Sequence, residues 1–125
     1  FTEKDEIRET QANHGPFGAH LAADPSELRR VFSTSGTTGI PCYLGLTESD
    51  LKMYATNVAR GYTAGGFKRG QRLVEGFNAG PFVAGAVYSG FDKIGASVIP
   101  VGTGNTERMV TAIQKLRATG ISCTP

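Results

Sequence analysis

The sequence predicts an α/β fold: a β-hairpin bearing a Ser/Thr/Gly loop, then parallel βαβ units. Three observations predict it. The chain from Gln71 onward alternates strand-like and helix-like runs, five in all, at the spacing of βαβ units with right-handed crossovers. Two apolar runs, near Arg30–Ser33 and Cys42–Thr47, flank a hydroxyl- and glycine-rich stretch, the pattern of a hairpin. Glycine numbers 17 in 125 residues, and falls in no Gly-X-Y period. Average usage of about 7% would give roughly 9. Such density implies tight turns, or backbone that must approach something closely.

Each element follows from its residues. Thr2 to about Ala12 reads as a short helix, with Thr2 and Asp5 as a capping box. His14 to Asp24 is punctuated by Gly and Pro and reads as loop. "SELRRVFS" begins helical and becomes a strand near Arg30–Ser33; "CYLGLT" alternates and forms the second strand. Thr47 opens a helix, with Asp50 as its cap partner. Leu51, Tyr54, Ala55, Val58 and Tyr62 fall on one face of it, and Gly65–Gly66 ends it. "QRLVEGF" is a strand, "GPFVAGAVYSGFDKIG" a helix of small residues, and "ASVIPV" a buried-type strand. "NTERMVTAIQKLRATG" is an amphipathic helix with Met109, Val110, Ile113 and Leu116 inward, Asn105 or Thr106 as N-cap and Gly120 as its stop; "ISCTP" is the last strand.

Composition excludes several classes. Hydrophobic residues make up 39% and charged residues 19%, too apolar for a disordered tail. The net charge is +2, and the only adjacent basic pairs are Arg29–Arg30 and Lys68–Arg69. Nucleic acid is therefore not an expected partner, because a phosphate-tracking face needs clustered Lys and Arg. The modest basic excess suits an anionic small molecule. No membrane span is expected: the most apolar uncharged stretch, Gly76–Phe91, is broken by glycines and a proline and is shorter than about 18 residues. The start, "FTEKDEIRE", lacks the apolar core of a signal peptide. Cys42 and Cys123 form no metal-ligand spacing and read as free thiols of a reducing, cytoplasmic compartment. His14 and His20 lie six apart in a loop without further ligands nearby, so no metal site is expected. The chain starts without Met and ends directly after a strand, so it is expected to be an excerpt of a longer protein. A last strand left as an open edge leads to the expectation that the isolated piece self-associates.

The chemistry concentrates in "FSTSGTTGIP". Ser33, Thr34, Ser35, Thr37 and Thr38 supply hydroxyls, and Gly36 and Gly39 let backbone N–H groups turn toward one point. Such a nest binds phosphate oxygens without needing a cation. It is not a Walker loop, since no Lys follows the second glycine in that motif's sense. "VGTGNTE" imitates a dinucleotide fingerprint, but Glu107 replaces its third glycine, and a glycine turn before a helix explains it.

"STSGTTGIP" resembles the phosphate-loop signature of the adenylate-forming acyl-CoA synthetases, T/S-S-G-T-T-G-x-P. More narrowly, the chain resembles the phenylacetate–CoA ligase family in "IRETQ", "PFG", "YLGLTESDL", "GPFVAG", "IGASVIPVGTGNTER" and "GISCTP", in order and across nearly all its length. The resemblance implies that residues 1–125 are an incomplete piece of the N-terminal AMP-binding domain, with no second domain. The parent would activate a carboxylic acid, of aryl-acetic type such as phenylacetate, with ATP and Mg2+, form an acyl-adenylate and pass the acyl group to coenzyme A. Ser35, Gly36, Thr37, Thr38 and Gly39 would hold the phosphates of ATP. Phe77, Asn78 and Phe82, in "GFNAGPFVAGAVYSGF", would line the acid pocket; catalytic residues would lie beyond this chain, which alone would not turn over. Ile40 and Cys42 stand where related loops carry Lys. The competing reading is a non-catalytic α/β module whose loop holds some anion or nucleotide.

Overall fold

The computed structural model describes residues 1–34, 36, 39–77 and 86–123, and these described residues group into two compact units, one within Phe1–Leu51 and one within 52–77 and 86–123. In the first, α1 (Lys4–His14) precedes a single 3-10 turn at Pro25–Glu27, then β1 (Leu28–Ser33) and β2 (Tyr43–Thr47). The two strands pair antiparallel as predicted, with Val31 opposite Gly45, Phe32 opposite Leu44 and Ser33 opposite Tyr43, and an irregularity between Leu28 and Arg30. β1 starts two residues before the predicted Arg30, because the 3-10 turn, capped by the Asp24 carboxylate on Ser26 N–H (2.8 Å), releases the chain early. The capping box of α1 is also displaced. Glu6, not Asp5, reaches back, its Oε2 accepting from Glu3 N–H at 3.0 Å, while Asp5 pairs with Arg8. Glu has the extra methylene that a box spanning three residues uses.

α2 (Glu48–Ala64) starts where the sequence places it: Thr47 Oγ1 accepts from Asp50 N–H at 3.3 Å, and Asp50 Oδ2 accepts from Thr47 N–H at 2.9 Å. Its predicted stripe is the side turned from water, with Ala55 buried and Leu51, Tyr54, Val58 and Tyr62 half-buried.

In the second unit β3 (Arg72–Glu75), β4 (Ser97–Pro100) and β5 (Gly120–Ser122) form a sheet of order β4-β3-β5, both pairings parallel. β3 is central, and Leu73, Val74 and Glu75 are fully buried. α3 (Val87–Ile94) and α4 (Thr106–Leu116) complete the described elements. Phe91 on α3 is fully buried, its ring edge-on to Tyr62 at 4.6 Å. Burying a side chain of that size contributes about 1.5–3 kcal/mol.

Three expectations fail here. β4, read as a buried strand, is half-exposed, because it lies at one end of the described sheet. On α4, Met109 and Ile113 are half-buried, but Val110 and Leu116 are 46% and 49% exposed, so the inward face is narrower than the sequence suggests. Gly120 does not end α4. Arg117 does, in the left-handed conformation (φ 49°), and Gly120 instead opens β5, where the Phe67 ring sits too close for any side chain. Asn105 proves to be the N-cap, its Oδ1 accepting from Arg108 N–H at 3.0 Å. No described helix is long and apolar enough to cross a membrane.

Candidate functional site

The Ser/Thr/Gly loop hangs from the tip of the hairpin, and its neck is closed twice. Thr34 N–H donates to Cys42 C=O at 2.9 Å, and Cys42 N–H donates to Thr34 Oγ1 at 3.0 Å. Thr34 Oγ1 thus serves the neck as an acceptor, its O–H proton not being used in that bond, and Ser33 is buried in the strand. Of the five hydroxyls, those of Ser35, Thr37 and Thr38 lie outside the described residues.

Gly36 and Gly39 are described. Both have positive φ, 61° and 124°, and the Gly39 N–H donates to the Gly36 carbonyl at 2.8 Å. A Cβ at Gly36 would meet the Gly39 carbonyl oxygen at 2.9 Å, so conformation and space both demand glycine there. Left-handed residues in a short loop turn successive N–H groups inward, the geometry that suits an anion. The Gly39 N–H is thus engaged within the loop, closing the turn onto the Gly36 carbonyl.

The positions that carry Lys in related loops separate in this structure. Ile40 is 75% exposed on the loop, whereas Cys42 is 2% exposed beneath it. A long cation at Ile40 would stand in water beside the loop; at Cys42 it would be driven into the protein.

The sequence reading missed the support under this loop. Arg8 Nε donates to Ile40 C=O at 3.2 Å, and the Arg8 guanidinium pairs with Asp5 at 2.5 Å. One helical turn on, Gln11 holds the Tyr43 peptide from both sides. Its Nε2 donates to Tyr43 C=O at 2.7 Å, and its Oε1 accepts from Tyr43 N–H at 3.0 Å. The amide acts as a further strand would, satisfying backbone groups at the start of β2. Arg8, Gln11, Ile40, Pro41 and Tyr43 line a depression of about 170 Å³ between helix and loop. The i, i+3 spacing of Arg8 and Gln11 was the available signal, since it puts both on one face of α1.

In the second unit the carboxyl ends of the parallel strands gather a buried polar group. Glu75 closes β3; its backbone carbonyl accepts from Val101 N–H at 3.0 Å and Gly102 N–H at 3.1 Å. Its Oε1 accepts from Phe77 N–H at 2.8 Å, which fixes the start of the predicted acid-pocket segment. Burial pushes the carboxyl above its usual range, against the Phe77 N–H and the Ser122 hydroxyl, which favour its charged form. Tyr88 is pushed up by burial and by the nearby Glu75 charge. Tyr62 Oη and Ser122 Oγ share a hydrogen bond at 2.8 Å. Of the predicted pocket residues, Phe77 is half-buried beside this group, while Asn78 and Phe82 lie outside the described residues. His14 and His20 are exposed, and no cluster of three or more metal-ligating side chains occurs among the described residues.

A hairpin and a parallel sheet of this kind occur in the N-terminal domain of adenylate-forming ligases. The structure matches that of 2-hydroxyisobutyryl-CoA ligase, solved in complex with 2-HIB-AMP and CoA in the thioesterification state, with a TM-score of 0.88 and 27% identity, over 96% of this chain and 26% of that one. No family model matches the chain. In sequence it is 41% identical over 126 residues to the phenylacetate-coenzyme A ligase of Thermus thermophilus, and 34% identical over 126 residues to that of Aromatoleum evansii. Both alignments cover 100% of this chain. The chain thus aligns from end to end with one segment of the phenylacetate–CoA ligases, the family its motifs resemble, and spans 27% and 28% of the length of those two relatives.

Proposed function

We propose that the chain is the phosphate-binding part of the N-terminal AMP-binding domain of an acid–CoA ligase, which joins a carboxylic acid of aryl-acetic type, such as phenylacetate, to coenzyme A at the expense of ATP. The observation that carries this reading is the hairpin loop with two left-handed glycines, set within a sequence 41% identical to a phenylacetate-coenzyme A ligase. The acid's carboxylate oxygen attacks the α-phosphorus of ATP, the bond to pyrophosphate breaks, and an acyl-adenylate forms. The sulfur of coenzyme A then displaces AMP, and its thiol proton goes to solvent.

Charge accumulates on the leaving pyrophosphate in the first step. The backbone N–H of Gly36 and the hydroxyls of Ser35, Thr37 and Thr38 would stabilise it as oriented donors, with Gly39 shaping the turn through its hydrogen bond to the Gly36 carbonyl. The hydrogen bonds from α1 would keep that loop preorganised, so that little reorganisation is needed at the moment of reaction. Mg2+ belongs to the parent's reaction. The described residues include no cluster of three or more ligating side chains to hold it. Phe77, Asn78 and Phe82 would wall the acid pocket, and the place of action would be the cytoplasm. The isolated segment would form no thioester.

The test is ATP–pyrophosphate exchange by the full-length protein with a panel of carboxylic acids, wild type against Thr37→Ala/Thr38→Ala. Each lost charge-assisted hydrogen bond is worth about 1.5–3 kcal/mol. Exchange should therefore fall by roughly two to four orders of magnitude, since about 1.4 kcal/mol is tenfold. Acid affinity should hold. Near-normal exchange in the double variant would remove the loop's assigned role. Absence of exchange with every acid would favour the non-catalytic anion-binding module.

A further inference from the structure

Glu75 holds a carboxyl group that the phosphate chemistry does not use. It is fully buried at the carboxyl end of the central strand, and only one of its oxygens is occupied by a described hydrogen bond, Oε1 by Phe77 N–H. Oε2 has no hydrogen-bond partner among the described residues. The Ser122 hydroxyl favours the charged form and also shares a 2.8 Å hydrogen bond with Tyr62, in which either oxygen can donate. Buried polar atoms are nearly always paired, so one left over calls for a physical explanation. Its position supplies one. In open parallel sheets, ligands bind in the crevice outside the carboxyl ends of the strands.

What could pair with Oε2 follows from its chemistry. A carboxylate is an acceptor, so it repels phosphate oxygens and the acid's own carboxylate, and selects an uncharged or cationic donor. Phe77 begins beside it, and Tyr88, pushed up by burial and by the Glu75 charge, is the other aromatic residue in its field. We propose that Glu75 is a specificity-determining residue of the acid pocket, with Oε2 accepting a hydrogen bond from an amine or hydroxyl carried on the carboxylic acid substrate. This rests on the acid–CoA ligase reading and narrows it to acids bearing a second, donating group.

Glu75→Gln is the informative substitution. Glutamine has a single acceptor oxygen. The Phe77 N–H claims it, which turns the amide NH2 toward the ligand and sets donor against donor when the ligand group is an amine. Full-length wild type and variant would be compared in pyrophosphate exchange with phenylacetate and with its 3-amino and 4-amino derivatives. The readout is the ratio of kcat/KM for aminated over plain acid, which a merely structural role would leave unchanged. Wild type should favour one aminated acid by about tenfold or more, and Glu75→Gln should bring that ratio close to one. Equal losses for plain and aminated acids would overturn the proposal and make Glu75 a structural residue whose second oxygen is satisfied within the protein. Calorimetric binding of the same acids to wild type decides the matter if the variant fails to fold or if no acid supports exchange. Tighter binding of an aminated acid supports the proposal even where the ligase reading fails, and equal binding overturns it.

Discussion

The same substitution, glycine to alanine, should have opposite signs at two helical positions in this protein. Gly61 lies on α2, and a Cβ built there meets nothing within 4 Å. Alanine at that position gains only the helix propensity difference, about 0.5–1 kcal/mol in favour of folding. Gly90 lies on α3, and its Cβ would land 2.5 Å from Val58 Cβ and 3.3 Å from Ala59 N, with Val58 Cγ1 closer still. These are the stem of a β-branched side chain and a backbone atom, neither of which can swing aside, so the helices must part. Overpacking of this kind costs about 1–3 kcal/mol. The propensity gain offsets part of that, leaving Gly90→Ala destabilised by up to about 2.5 kcal/mol. Urea unfolding followed by circular dichroism measures both variants, with an unchanged slope confirming that the midpoint shift reports stability. Val58→Ala in the Gly90→Ala background should recover part of the loss, with a coupling of about 0.5 kcal/mol or more between the two sites. If Gly90→Ala stabilises the protein as much as Gly61→Ala does, α2 and α3 are not in the contact described here.

Further outcomes follow from other contacts. Thr47→Ala removes the acceptor for Asp50 N–H at the start of α2 and should cost about 1 kcal/mol, read from the same unfolding curves. Gln11→Ala leaves the Tyr43 N–H and C=O without their partners, so hydrogen exchange at the Tyr43 amide should quicken and adenylation should slow as the loop loosens. Glu75 titrates above its unfolded value, so in the interval between the two the folded state binds more protons than the unfolded one. Stability should therefore be greatest below the unfolded carboxyl pKa, fall as pH rises through that interval, and level off above it. Glu75→Gln should remove that component of the profile, and a profile identical to wild type would refute the assignment.

The hairpin and its loop were legible because their signals are local. Alternation in "CYLGLT", two glycines amid hydroxyls, and a Thr–Asp cap at Thr47 each act within a few residues, where backbone sterics and short hydrogen bonds decide the outcome. The strand–helix alternation after Gln71 gave the parallel sheet for the same reason. Less legible was the inward face of α4: a stripe of apolar residues says that a helix packs, but the exposure of Val110 and Leu116 depends on which neighbours are present. The cap of α1 shifted by one residue because Thr2–Asp5 and Glu3–Glu6 offer overlapping boxes, and side-chain reach chose between them.

By itself, the sequence determined the turn chemistry, the order of strands and helices, and the glycines that the loop requires. These are set by bonds and torsions of residues close in the chain. Tertiary structure alone decided that Arg8 and Gln11, more than thirty positions before Ile40 and Tyr43, brace the loop, since |i−j| is 32 for both pairs. It also decided that Thr34 closes the neck, and that Glu75 ends buried in a sheet it does not contribute to by hydrophobicity. A carboxylate in the run "RLVEGF" carries no local mark of burial. Its environment comes from β4 and β5, brought alongside β3 only when the sheet assembles.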